Sequence, residues 1–398
     1  MSHVMNTYAR QPVAFVRGEG VWLWDEAGKK YLDALAGIAV NTLGYAHPKL
    51  TQALERRIRS GIIHTSNLWR IPDQEAAADR IAEITGLDEV FFCNSGLEAT
   101  EASIKVARKY GHDRGIAEPA IVVLEKAFHG RSLATLSATG SRKVQAGFEP
   151  LVQGFVRVPL NDLDAVRQVA EHNKSIAAVM IEPIQGEGGI NVSRMEYLRG
   201  LHEICQKHGW LFIADEVQCG MGRTGKWFVY QHAGFMPDVV ALAKGLASGV
   251  PVGACVVGGR AKGVFKPGNH GSTFGGNPLA MTAVVTTIDT VKEEALLDNA
   301  ARVGELILAS LASQIGALAN DIRGRGLMIG VELKRPCGEL VKQALDAGLV
   351  LNVTVDNVIR LLPPLVMSEA EGRQVVERLV PLVRAFAGAA AQTRAAAH

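Results

Sequence analysis

Trp210-Leu-Phe-Ile-Ala-Asp215-Glu-Val-Gln-Cys-Gly and, further on, Asp238-Val-Val-Ala-Leu-Ala-Lys244-Gly are the stretches that decide how this chain is read. Each is a continuous apolar run rather than an alternating one. That pattern suits a strand buried on both faces of a mostly parallel sheet. Each run ends on a charge where the strand gives way to a loop, and a lone charge there is costly unless it is paired or used chemically.

Four further runs follow the same rule: Glu89-Val-Phe-Phe-Cys, Ala120-Ile-Val-Val-Leu, Ala177-Ala-Val-Met-Ile-Glu and Gly253-Ala-Cys-Val-Val-Gly. Amphipathic segments such as Met195 to His208 lie between them. This is α/β logic, with ligands expected at the carboxyl ends of the strands. An acid and an amine delivered there together meet the needs of pyridoxal phosphate. The amine carries its Schiff base, and the carboxylate keeps the pyridine nitrogen protonated so that the ring withdraws electrons.

The ends read differently. Gly20-Val-Trp-Leu-Trp-Asp and Lys30-Tyr-Leu-Asp predict short strands, followed by a helix with Leu50, Leu54 and Ile58 on one face. The last ~90 residues run helix, Leu327-Met-Ile-Gly-Val-Glu-Leu, helix, Val358-Ile-Arg-Leu-Leu, helix. The expected division is 1–55 and 291–398 as one smaller α+β domain around a large domain, 56–290. The Ala-rich tail after Arg384 reads as a helix that frays.

Composition removes several functions. The 398 residues are 48% hydrophobic and 21% charged, with net charge +2, so wholesale disorder and a polyanion partner are both excluded. The basic run Glu55-Arg-Arg-Ile-Arg59 reads as a solvated helix face, not a nucleic-acid patch. Five scattered cysteines without a Cys-x-x-Cys fit free thiols in a reducing compartment. No signal peptide or membrane span is read, and the histidines form no metal set. A cytoplasmic protein is expected.

Several loops carry possible chemistry. Cys93-Asn-Ser-Gly-Leu-Glu-Ala-Thr follows a strand and opens a helix. Ser95 and Glu98 have capping-box spacing, and the free N–H groups of Gly96 and Leu97 suit a phosphate. Phe128-His-Gly-Arg131 offers an aromatic wall and a guanidinium for a carboxylate. Glu182-Pro-Ile-Gln-Gly-Glu187-Gly-Gly places two acids in a glycine-rich strand-end loop. Arg360, inside an apolar run, wants a carboxylate partner, for which Glu187 is a candidate. His270-Gly-Ser-Thr273-Phe-Gly-Gly-Asn-Pro is a polar loop whose hydroxyls could reach a phosphate. Gly220-Met-Gly-Arg-Thr-Gly matches G-x-G-x-x-G formally. It does not follow its strand directly, however, and Trp227-Phe-Val-Tyr is a poor helix opening, so it is not read as a dinucleotide site.

Together these motifs, with Asn94-Ser-Gly, Ala243-Lys-Gly and Arg325-Gly-Leu-Met-Ile-Gly, resemble the class III aminotransferases, which are fold-type I pyridoxal-phosphate enzymes. The resemblance covers nearly the whole chain. It implies Lys244 for the Schiff base, Asp215 at the pyridine nitrogen, Gln218 at the phenolic oxygen, and Val217 and Phe128 on either side of the ring. It further implies phosphate contacts from Gly96 and Leu97, and from Thr273 to the other subunit of a homodimer. Arg131 would bind a substrate carboxylate, and Glu187 would cover Arg360 until glutamate or 2-oxoglutarate arrives.

The resemblance also implies a reaction in which the δ-amine of N2-acetylornithine passes to 2-oxoglutarate. N-Succinyl-diaminopimelate, succinylornithine, ornithine and 4-aminobutyrate are rival donors, and a non-catalytic cofactor-binding protein is the rival of another kind. Leu97 stands where relatives commonly have Thr or Ala. Ile38, in Ala36-Gly-Ile-Ala-Val, stands where ornithine-type relatives place a Tyr, which favours an acylated ornithine.

Overall fold

The computed structural model describes residues 3–395. Its centre is a seven-stranded sheet in the order Glu89–Cys93, Gly253–Val257, Val239–Leu242, Leu211–Asp215, Ile176–Ile181, Ala120–Leu124 and Phe155–Val158. Gly253–Val257 runs antiparallel to both neighbours, and the other pairings are parallel. The six apolar runs all become strands of this sheet. Leu211–Asp215, Ile176–Ile181 and Ala120–Leu124 are buried along their whole length, which is why they show no alternation.

Two smaller sheets come from the chain ends. Lys30–Asp33 pairs in parallel with Leu349–Val350, which ties the amino-terminal hairpin to the carboxyl-terminal segment. The other sheet runs Ala319–Arg325, Met328–Leu333, Val358–Leu361 and Asn352–Thr354, antiparallel throughout. A short hairpin, Ile184–Gln185 with Asn191–Val192, projects from the central sheet towards it.

Two sequence readings need correction. The helix Pro48–Arg59 buries Leu50 and Ala53, but Ile58 is 59% exposed, so the apolar face does not run its length against the core. In the basic run on that helix, Arg57 pairs with Asp73 and donates to Thr282 Oγ1 at 3.0 Å, so it is more than a solvated face. Leu296–Leu318 is long and apolar enough, by length and composition alone, to cross a membrane, although no span was read from the sequence. It is nonetheless two-sided: Leu296, Val303, Ile307 and Leu311 are buried, and the helix packs on Glu369–Ala395. The helix Glu369–Ala395 takes in most of the tail after Arg384 that reads as a fraying helix, and residues 396–398 of that tail lie outside those described.

Candidate active site

The carboxyl edge of the central sheet opens on a cavity of about 380 Å³. Gly96, Leu97, Phe128, Arg131, Asp215, Val217, Gln218 and Lys244 all line it. They arrive from separate strand ends: Cys93 leads to Gly96, Leu124 to Phe128, Asp215 to Gln218, and Leu242 to Lys244. Parallel strands bring their carboxyl ends to one edge, so residues more than a hundred positions apart share one pocket.

Asp215 is 3% exposed and is held on both oxygens. Oδ1 accepts from Val217 N at 3.2 Å, and Oδ2 lies 2.7 Å from His129 Nδ1. His129 is also buried, and its Nε2 has no hydrogen-bond partner among the described residues. Lys244 adopts φ 44°, a left-handed backbone that a lysine takes only when its surroundings enforce it. Burial drives its ammonium below the usual lysine range, against the opposing pull of Glu187.

The helix Gly96–Asp113 aims its first turn at this cavity. Ser95 Oγ accepts from Glu98 N at 3.2 Å, as a cap should. The returning carboxylate departs from the expected capping box: Glu98 Oε2 takes Asn94 N at 2.5 Å. The N–H groups of Gly96 and Leu97, ahead of the capped Glu98 N–H, have no acceptor within the helix, which leaves them for an anion. Gly96 is required by packing, because a Cβ there would lie 2.7 Å from Val217 Cγ1.

Glu187 and Arg360 meet at 2.5 Å, Oε1 to Nη1. Arg360 is fully buried and also donates to Gln218 Oε1 at 3.2 Å and Asn352 Oδ1 at 3.1 Å. Its Nη2 has no partner among the described residues. Burial alone would raise the Glu187 carboxyl, but the Arg360 charge and hydrogen bond outweigh it and hold the group below the usual range. Glu187 lines a second cavity of about 590 Å³, which shares Phe128 and Arg131 with the first. Glu182, buried beneath, accepts from Phe128 N at 2.7 Å and Gly186 N at 3.1 Å, and burial pushes it up to about 7.

Four candidates fall outside the Lys244 cavity of this chain: Glu187 lines the second cavity, Arg360 is buried behind it, and Thr273 and Ile38 line neither. Thr273 sits on an exposed loop. Ile38 is half-buried against the main core, and Val40 lines the cavity instead. The reason lies in the backbone. Ala36, Gly37, Ile38 and Ala39 have φ of 49°, 63°, 68° and 62°, a left-handed turn that costs roughly 1–2 kcal/mol per non-glycine residue. Asp33 holds this turn by accepting from Leu35 N at 2.8 Å and Ala36 N at 2.9 Å. Thr42 Oγ1 then donates to Gly245 O at 2.9 Å, bracing the turn against the lysine loop. His129, Val40 and the Asp33 brace were not singled out from the sequence. The buried Asp215 was a signal that a donor had to exist, but nothing in the spacing named His129. Arg223, from the glycine-rich hexapeptide, is buried and donates to the carbonyls of Leu327 and Pro363, a structural role.

A lysine and an acid at the carboxyl edge of this sheet, with a helix terminus facing them, define a fold-type I pyridoxal-phosphate transferase. The Aminotransferase class-III family model matches residues 4–383, and the chain belongs to the class III aminotransferases. It is 56% identical over 388 residues to acetylornithine aminotransferase of Nitrosomonas europaea, covering 97% of this chain and 98% of that one. Acetylornithine aminotransferase of Elizabethkingia anophelis superposes with a TM-score of 0.88 at 36% identity, covering 96% and 97% of the two chains. Ornithine aminotransferase of Toxoplasma gondii superposes at 0.92 with 32% identity, covering 96% and 92%, and its structure shows partial occupancy of pyridoxal phosphate at the active site. The residues lining the cavity fit that cofactor: an amine for its aldehyde, a buried carboxylate for its ring nitrogen, apolar walls and unpaired N–H groups for its phosphate.

Proposed function

We propose that this chain transfers the δ-amino group of N2-acetylornithine to 2-oxoglutarate, giving N-acetylglutamate 5-semialdehyde and glutamate, a step of arginine biosynthesis. One observation carries the reading beyond the family. Arg131 stands open at the cavity that holds Lys244, while Arg360, with one nitrogen unpartnered, is masked by Glu187. One permanent and one maskable carboxylate site suit a mono-carboxylate donor alternating with a dicarboxylate acceptor. Relatives named for acetylornithine select the donor within that class.

Bound pyridoxal phosphate supplies an electron sink for the carbanion formed at the substrate carbon. The rest is the work of this chain. Lys244 Nζ, whose basicity burial lowers, takes the proton from the donor's δ-carbon and returns it on the other side of the transfer. Asp215, oriented by His129 and Val217 N, would hold the proton on the ring nitrogen. Phe128 and Val217 would wall the ring on its two faces, Gln218 would meet its oxygen, and the Gly96 and Leu97 N–H groups would take the phosphate. Arg131 grips the donor's α-carboxylate. Arg360 stays covered until 2-oxoglutarate brings a second carboxylate. Ile38 acts through the turn that sets Val40 in the wall.

Thr273 is assigned to the phosphate of a second copy in a homodimer. Exposed Ile58, Ile62, Leu68, Trp69 and Phe274 support such an interface. We read segments 1–55 and 291–398 as the small domain around 56–290, supported by the pairing of Lys30–Asp33 with Leu349–Val350. The buried free cysteines support a cytoplasmic location. Steady-state comparison of N-acetylornithine, ornithine, succinylornithine, N-succinyl-diaminopimelate and 4-aminobutyrate tests the assignment. N-Acetylornithine should have the highest kcat/KM, and a preference for any other amine overturns the donor.

A further inference from the structure

We propose that Thr354 and Arg323 are positioning residues for Glu187. They lock the backbone of its loop onto the carboxyl-terminal sheet, so that Glu187 uncovers Arg360 by rotating its side chain alone. The proposal rests on the reading of Glu187 and Arg360 given above and adds the device that sets their balance.

The loop between Ile184–Gln185 and Asn191–Val192 is held from the carboxyl-terminal sheet at three carbonyls, those of Glu187, Gly189 and Ile190. Thr354 Oγ1, from the Asn352–Thr354 strand, donates to Glu187 O at 2.6 Å. Arg323 donates from Nη2 to Gly189 O at 2.6 Å and from Nε to Ile190 O at 3.0 Å. Its Nη1 is fixed in turn by Glu332 at 2.7 Å and Asp321 at 3.0 Å. The fit leaves no slack. A Cβ on Gly189, at φ 110°, would lie 2.9 Å from Val355 Cγ2, and one on Gly330 would lie 2.9 Å from Ile190 Cβ.

Arg360 belongs to this same sheet, opposite Gly330 on one side and Asn352 on the other. Both members of the ion pair are therefore referred to one rigid frame. The Glu187 side chain is 35% exposed and faces the 590 Å³ cavity, which gives it room to turn. A clamp on the main chain with freedom in the side chain favours the covered state without preventing exchange.

The test separates equilibrium binding from turnover. Glutarate, an unreactive dicarboxylate, needs Arg360 uncovered; N-acetylornithine needs it covered. Holoenzyme variants Thr354→Val and Arg323→Gln should bind glutarate more tightly and lose kcat/KM for N-acetylornithine, each by about threefold to tenfold, the weight of one hydrogen bond. Thr354→Ser should restore wild-type values. Equal losses for both ligands, or no change in either variant, would overturn the clamp. Glu187→Gln run alongside distinguishes the two levels. If it shifts the balance and the clamp variants do not, the clamp alone fails. If Glu187→Gln leaves the balance unmoved, the masked-arginine reading fails with it.

Discussion

Arg360→Met separates the role of Arg360 in stability from its role in recognition. Arg360 is fully buried, and its charge is met by Glu187, Gln218 and Asn352. Met has similar length and no charge to bury, and removing one partner of an ion pair is strongly destabilising only where the other is left charged and cut off from water. Glu187, left behind, keeps partial solvent access through the adjoining cavity, so it is not stranded. The melting temperature should move by only a few degrees. Recognition should collapse by contrast. Two charge-assisted hydrogen bonds to the second carboxylate, at about 1.5–3 kcal/mol each, correspond to a loss of about 10²- to 10⁴-fold in kcat/KM for 2-oxoglutarate. N-Acetylornithine, which meets Arg360 covered, should lose less than about tenfold. Single-turnover absorbance measures the two half-reactions separately. Equal loss in both, or retained use of 2-oxoglutarate, would refute the assignment of Arg360.

Other expectations bear on the chemistry and the frame. Lys244→Ala should abolish turnover, measured with N-acetylornithine and 2-oxoglutarate; activity near the wild-type rate without added amine would count against Lys244. Glu216 accepts from Val229 N at 2.7 Å and Tyr230 N at 3.3 Å, and burial pushes it from 4.5 up to about 7. Its folded pKa is raised, so wild-type stability should fall as pH rises from 4.5 to 7 and then level. Glu216→Gln should gain on wild type across that window by up to about 3 kcal/mol in urea unfolding, and parallel curves would exclude the effect. Gly304→Ala places a Cβ 2.1 Å from Gly326 O, so overpacking of about 1–3 kcal/mol should lower the melting temperature despite the gain in helix propensity.

Much of the frame was readable because burial on both faces writes itself as continuous apolar runs. The six strands from Glu89 to Val257 needed nothing else. The charges ending two of them, Asp215 and Lys244, marked the edge where chemistry collects. A buried Arg360 demanded an acid, and the geometry supplies Glu187. What the sequence concealed depends on three-dimensional approach. His129 faces Asp215 across a sheet whose strand order is not the chain order. Ile38 sits in a left-handed turn that no propensity of Ala-Gly-Ile-Ala predicts, which turns Val40 and not Ile38 to the cavity. The exposure of Ile58 is likewise hidden, since an apolar helical stripe reads the same whether it meets the core or another copy.

The absorbance spectrum of the purified protein loaded with pyridoxal phosphate tests the central claim most directly. The account predicts a band near the visible edge that shifts to shorter wavelength on adding N-acetylornithine and returns on adding 2-oxoglutarate. A band that ignores N-acetylornithine but responds to another of the amines would contradict the assigned donor. A protein that shows no band after incubation with pyridoxal phosphate would contradict the roles of Lys244 and Asp215 themselves.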